Sequence, residues 1–273
     1  MNKYQTIRQR YHYPMIILKQ MVVTDFQLRY QGSALGYAWS LLKPLFMFAI
    51  LYGVFGFVLK TGGSVDNFPV YLLLGILLWN FFAEVTTISV GAIVGKGDII
   101  RKLNFPKFVL ILSGVFSAMI NLGISFIVMI VFMAISHVHI SNLAFLFPLL
   151  IIELVIFAFS IGLILSAMFV RYRDISYIWE IFLQIFFYLT PIIYTVDYVS
   201  NQSRLLAKIQ MVNPLAQIIQ DSRHLLVTPQ AQTGVTIFGS YTYYLVPISI
   251  VILAMIFGVS YFRKKAPRFA EEV

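Results

Sequence analysis

The chain has 273 residues, of which 60 % are hydrophobic and 11 % charged, with no cysteine. So apolar a composition excludes a soluble globular domain and describes a polytopic helical membrane protein, and the missing cysteine removes disulfides, thiolate chemistry and Cys-based metal sites. The formal charge of +9 is not a nucleic-acid patch, because the basic residues sit in loops beside apolar runs, where membrane orientation is encoded.

Residues 1–35 read as a cytosolic tail and an interfacial helix. Met1 to Tyr13 holds Lys3, Arg8 and Arg10 but no short apolar core or cleavage site, so no signal peptide is expected. From Pro14 onward, Gln20, Thr24, Gln27 and Gln31 recur on one side while Met15, Leu18, Val22 and Phe26 fall roughly opposite, the pattern of a helix lying along the membrane surface. Gly32, Gly36 and Ser40 follow at four-residue spacing, which lets a neighbouring helix approach closely. Six apolar runs then predict membrane spans at 36–60, 68–94, 107–135, 143–170, 175–194 and 243–262. The whole of 1–273 forms a single all-α transmembrane domain.

The spans carry few ionisable groups. Glu84 lies roughly 24 Å along the second span at 1.5 Å per residue, and a charge there costs about 2.5–3.5 kcal/mol unless paired or wet; structural pairing and a functional role both remain open. Glu153 is near the outer surface if the fourth span starts at Pro148, and near the midplane if it starts earlier. Ala158, Gly162 and Ser166 make a small-residue ladder in that span. His137 and His139 are two residues apart and point apart on a helix, which disfavours a metal site. Pro191 is expected to kink the fifth span.

Two connections stand out. Between 95 and 106, inside the stretch GKGDIIRKLNFPK, Asp98 is a plausible N-cap for a short helix with Ile99, Ile100 and Leu103 on one face, Arg101 and Lys102 beside them, and Phe105-Pro106 at its end. Residues 195–242 form an external re-entrant segment. Asn213-Pro214 caps a helix in which Leu215, Ile218, Ile219, Ser222 and Leu226 share one face, with Gln217, Gln220, Asp221 and His224 elsewhere, and Leu205 to Val212 is its expected partner. With both termini cytosolic, sixteen of the twenty Lys and Arg residues fall inside, leaving Lys60, Arg204, Lys208 and Arg223 outside.

Gly91, Gly95 and Lys96 imitate a phosphate loop with one residue too few between the glycines and Gly97 where Ser or Thr would hold magnesium, so ATP has no cradle here. Glu84, Glu153 and Glu180 are scattered over three spans, and no catalytic constellation results.

Five short segments, in order, carry a family resemblance: LRYQGSALGYAWSLLKP from Leu28 to Pro44, IRKLNFP from Ile100 to Pro106, RYRDI from Arg171 to Ile175, TPIIY from Thr190 to Tyr194, and NPL from Asn213 to Leu215. Together with the order of parts, they resemble the membrane subunits of polysaccharide-type ABC exporters, which move O-antigens, teichoic acids and capsules. The resemblance implies a multi-pass protein of the bacterial cytoplasmic membrane, working as a homodimer with two copies of a separate ABC ATPase subunit. ATP and Mg would then sit on that partner, with no cofactor on this chain and no catalytic residue. It further implies ATPase coupling through Asp98, Ile99, Ile100, Arg101, Lys102, Leu103 and Phe105, and a polyprenyl-diphosphate-linked polysaccharide as substrate within the lipid. Arg29, Lys43, Arg171 and Arg173 would meet the diphosphate at the cytoplasmic mouth. Tyr37, Trp39, Tyr52, Phe186, Phe187, Tyr188 and Tyr194 would offer aromatic faces to the sugars. Competing readings are an ABC permease for a drug or small lipid, and a membrane glycosyltransferase built on Glu84 or Glu153.

Overall fold

The computed structural model describes residues 14–25, 27, 36, 38–58, 65–103, 105–138 and 140–272, apart from the side chain of Ser40. Every regular element among them is helical, and five helices are long and apolar enough to cross a membrane. Helix α1 covers residues 14–25. Then come α2 (Ala38–Leu51), continued by a π-helix over Tyr52–Val58, and α3 (Phe68–Gly91). The short α4 (Gly97–Lys102) leads to α5 (Phe108–Ile135), and a 3-10 turn over Asn142–Leu146 opens α6 (Phe147–Arg171).

Helix α3 is apolar around most of its circumference, as suits a helix largely enclosed by others, with Asn80, Glu84 and Thr87 on the one face that stays partly open. Val70, Leu72, Leu74, Ile76, Leu78 and Val85 are fully buried, and α2, α5, α6 and the later helices α7 and α10 pack around it. Lipid tails are as apolar as leucine, so cohesion inside the bilayer comes from close approach rather than from escape from water. The small residues supply that approach. A side chain at Gly162 of α6 would meet Ser89 Oγ of α3 at 2.5 Å. The predicted ladder of Ala158, Gly162 and Ser166 is therefore buried at a helix crossing.

Helix α7 (Ile175–Leu189) ends five residues before the predicted span 175–194 does. It has 15 residues, roughly 22 Å at the helical rise, which is short of the about 30 Å hydrocarbon core. Thr190 is extended, with φ −84° and ψ 134°, because a proline drives the residue before it out of the helical region. Pro191 thus ends α7 instead of kinking it, and the apolar letters that follow belong to a buried turn. Four short helices come next: α8 (Val196–Gln202), α9 (Arg204–Val212), α10 (Pro214–Leu226) and α11 (Gly234–Phe238). Thr195, Ser203 and Asn213 each accept a hydrogen bond from a first-turn N–H, so every one of the first three starts on a side-chain cap.

A 3-10 turn over Tyr241–Tyr244 opens α12 (Leu245–Lys265), whose Gly258 lets the backbone of Ser160 on α6 come within 2.7 Å of a would-be Cβ. The chain then folds back through Ala266–Arg268 into α13 (Phe269–Glu272).

Candidate functional site

The turn from 95 to 106 is a braced elbow. At the end of α3 the chain tightens through a 3-10 turn over Val94–Lys96 and enters α4 directly. The N-cap position is Lys96 rather than Asp98, which lies in the first turn, where a carboxylate suits the positive end of the helix. The single apolar face expected from the sequence is divided. Ile100 and Phe105 are buried, together with Met21, Val109, Leu110, Phe262 and Phe269, while Asp98, Arg101, Lys102 and Leu103 are exposed and Ile99 is half-buried. Leu103 keeps 42 % of its surface open.

Polar bonds fix the elbow from two sides. Lys96 Nζ donates to both carboxylate oxygens of Asp25 on α1, at 2.9 and 2.7 Å, and Ser113 Oγ of α5 donates to Asp25 at 3.1 Å. Lys107 Nζ donates to the Ala266 carbonyl at 3.2 Å. Helix α13 packs on α4, with Phe269 against Phe262 at 5.3 Å between ring centres. In α1 the buried residue is Met21, with Ile17 and Leu18 beside it, whereas Met15, Ile16 and Val23 are exposed.

At the opposite end of α3 lies a polar interior that sequence reading missed. Off the apolar face of α10 predicted from the sequence, Gln217, Gln220, Asp221 and Arg223 are all buried. Arg223 has no exposed surface. Its Nε donates to Tyr71 O at 2.9 Å, Nη1 to Pro191 O at 2.5 Å and Nη2 to Ile192 O at 2.7 Å, and its guanidinium carbon sits 3.7 Å from the centre of the Tyr71 ring. Tyr71 also donates through its hydroxyl to Gln220 at 3.2 Å. One side chain therefore joins the first turn of α3, the turn after α7, and α10. The sequence carried little signal of this, because Leu215, Ile218, Ile219 and Leu226 share one face of α10 and the polar residues gather on the other, as on any amphipathic helix.

Two of the membrane acids have polar partners on neighbouring helices. Glu84 accepts a hydrogen bond from Asn121 Nδ2 of α5 at 2.7 Å, so it is structurally paired. Glu153, seven residues into α6 and thus on the outer side of the midplane if α12 ends inside, lies against Gln217 and Asp221 of α10.

The other expected site residues are dispersed. Lys43, Arg171 and Arg173 are exposed, with Arg171 over the Tyr172 ring at 5.6 Å and Arg173 over Phe169 at 5.2 Å. Arg29 and Tyr37 lie outside the described residues. Trp39, Phe186 and Tyr188 face outward, and Tyr52 stacks on Phe48 at 5.7 Å. Phe187 is buried with its ring 5.6 Å from Trp79. The Tyr194 hydroxyl donates to Tyr188 O at 2.9 Å and accepts from Gln210 at 2.7 Å. Those last two side chains are engaged within the chain.

A model of the ABC-2 type transporter family matches residues 17–227. An O-antigen export system permease protein of Klebsiella pneumoniae is 29 % identical over 270 residues, covering 97 % of this chain and 99 % of that protein. A protein of the same description from Myxococcus xanthus is 25 % identical over 268 residues, 98 % of each. A polysialic acid transport protein of Escherichia coli is 25 % identical over 229 residues, covering 81 % of this chain and 85 % of that protein.

Proposed function

The chain belongs to the ABC-2 type transporter family, and from that premise we propose that it is the membrane subunit of an ATP-driven exporter for a polyprenyl-diphosphate-linked cell-surface polysaccharide. It is a transport subunit of a multi-pass cytoplasmic membrane protein, of the kind named for O-antigen and polysialic acid export. Such permeases normally pair with an ATPase subunit. Two copies of this chain would meet two copies of that ATPase, which would hold ATP and Mg.

The observation that carries this reading is the build of the elbow. A helix of six residues has no stability of its own, yet α4 is held by a buried Ile100–Phe105 foundation, by Asp25–Lys96 and by α13. What it leaves open, Asp98, Arg101, Lys102 and Leu103, is a small basic and apolar knob suited to the groove of a motor protein. A rigid-body push on that knob enters α3 without an intervening loop. Exposed Lys43, Arg171 and Arg173 would serve the diphosphate, and Trp39, Tyr52, Phe186 and Tyr188 the sugars. In this reading α7, with the turn after it, completes a sixth crossing, and α8–α10 form a re-entrant cap on the outer side, both termini being cytosolic.

Co-expression with an ATPase that carries a true phosphate loop tests the proposal. The pair should hydrolyse ATP and export glycan, and Leu103→Asp with Arg101→Glu should abolish co-purification while the chain itself stays folded. ATP hydrolysis by the chain alone, or unchanged export by the double variant, overturns it.

A further inference from the structure

Besides the side that grips α3, α10 has a second buried polar side, and no Lys or Arg of the described protein pairs with it. Gln217 and Asp221 stand one turn apart, and Gln217 Nε2 donates to Asp221 Oδ2 at 2.8 Å. Glu153 of α6 lies against both. Gln217 is 1 % exposed and Asp221 5 %. Gln217 also interacts with Glu153, and Tyr244 with Asp221, yet Glu153 Oε1, Asp221 Oδ1 and Gln217 Oε1 are each buried with no donor at hydrogen-bond distance. All three are acceptors.

The positive groups nearby make their bonds elsewhere, although His224 still acts on Asp221 through its charge. Arg223 is two residues beyond Asp221, about 200° around the helix, and its three nitrogens hold backbone carbonyls. On α9, Arg204 reaches Ile237 O at 3.4 Å and Lys208 lies over the Phe238 ring at 5.4 Å. His224 places Nδ1 on Ala231 O at 3.2 Å. The remaining polar neighbours are phenolic hydroxyls: Tyr244 beside Asp221, Tyr243 donating to Met211 O, and Tyr71 on α3. Two desolvated carboxylates side by side do not both stay ionised without a positive charge between them. A water molecule would bring donors but no charge.

We propose that Glu153, Asp221 and Gln217 form a binding site for one small monovalent cation, H⁺ or Na⁺, held between α6 and α10. Both ions are hard, and both are held by carboxylate and amide oxygens. Occupancy removes the repulsion across the α6–α10 contact and so fastens the outer helices to the bundle. The environment agrees with the geometry: burial pushes the Asp221 carboxyl up from 3.8 to about 6, against the opposing pull of Gln217, Tyr244 and His224.

Thermal unfolding of the purified chain in lipid nanodiscs reads the site, with Na⁺ compared against choline at equal ionic strength and with pH varied. A carboxyl that holds its proton more tightly when folded stabilises the folded state at low pH, and that stabilisation is lost as pH rises through its folded value. The melting temperature should therefore fall between about pH 4 and pH 7 if the ion is H⁺ alone, and Na⁺ should restore it at the upper end if the site also takes Na⁺. Glu153→Gln and Asp221→Asn should each flatten the response. A melting temperature indifferent to both ions, or a response that survives in both variants, overturns the proposal. Should neither variant fold, carbodiimide modification of the unaltered protein localises the proton: mass mapping at Glu153 or Asp221 that fades as pH rises supports the site, and modification only at other carboxyls overturns it.

Discussion

Arg223 shows how much one side chain can organise. Its guanidinium satisfies the carbonyls of Pro191 and Ile192, which lie in the turn past α7 where no helix supplies donors, and gives Tyr71 O in α3 a further donor. A buried carbonyl left without a donor costs about 1–3 kcal/mol. Arg223→Lys keeps the charge but places a single ammonium where a planar fork is required. It should lower the melting temperature by the equivalent of about 2–4 kcal/mol, two lost bonds at about 1–2 kcal/mol each. Gly75→Ala attacks the same site from the other side. A methyl there would run into Arg223 Nη2 and lie 3.1 Å from its Cζ, so the fork must shift off its carbonyls at a cost of about 1–3 kcal/mol. Thermal unfolding measures both, and a wild-type midpoint for Gly75→Ala would mean that the fork is not fixed. Composition and topology placed Arg223 on the outer side but could not show it buried, because positive-inside counting treats every cation as solvated. The same blindness separated Glu153 from Asp221, which are 68 residues apart in the sequence and meet only through the packing of α10 on α6.

Between elements, the joint of α1 with the elbow is where stability and coupling can be told apart. Asp25 and Lys96 are about a quarter exposed, a setting in which an ion pair contributes no more than about 1 kcal/mol. Asp25→Asn should therefore leave the protein folded, yet it should free α1 from α4 and reduce the ATPase stimulation observed when the partner subunit is added. The exchanged pair, Asp25→Lys with Lys96→Asp, should recover most of that stimulation, and a double exchange no better than either single change would deny the joint a role. The sequence disclosed α1 and α4 through periodicity and a turn, and α10 through Asn213-Pro214, because these signals are local. It grouped on one face of α4 residues that the fold separates. Ile99, Ile100 and Leu103 look equivalent on a helical wheel, but the extended conformation of Leu103, with φ −123° and ψ 132°, turns it off the helix and out of the cluster that takes Ile100. Likewise α7 was read five residues too long, since Pro191 stops a helix whose apolar composition continues unchanged.

At the scale of the whole molecule, α3 is a strut with a lever at each end. Its 24 residues span roughly 36 Å, from Tyr71 beneath Arg223 to the 3-10 turn that delivers α4. In the proposed coupling the helices packed around it restrain it against bending, and a displacement of the elbow is passed to α10 and to the turn after α7. The C-terminal fold-back belongs to the same device. Phe269, 1 % exposed, closes the cluster that seats Ile100 and Phe105. Phe269→Ala should cost about 3–5 kcal/mol of that local packing, loosening the seat of α4 while the far end of α3 stays in place. The expected phenotype is an exporter that still assembles with its ATPase and still hydrolyses ATP but moves less glycan per ATP, measured in proteoliposomes. Arg223→Gln, which frees the opposite end of the strut, should lower the same ratio through loss at the outer cap. If either variant lost hydrolysis and export in equal proportion, force would be reaching the conduit by some route other than α3.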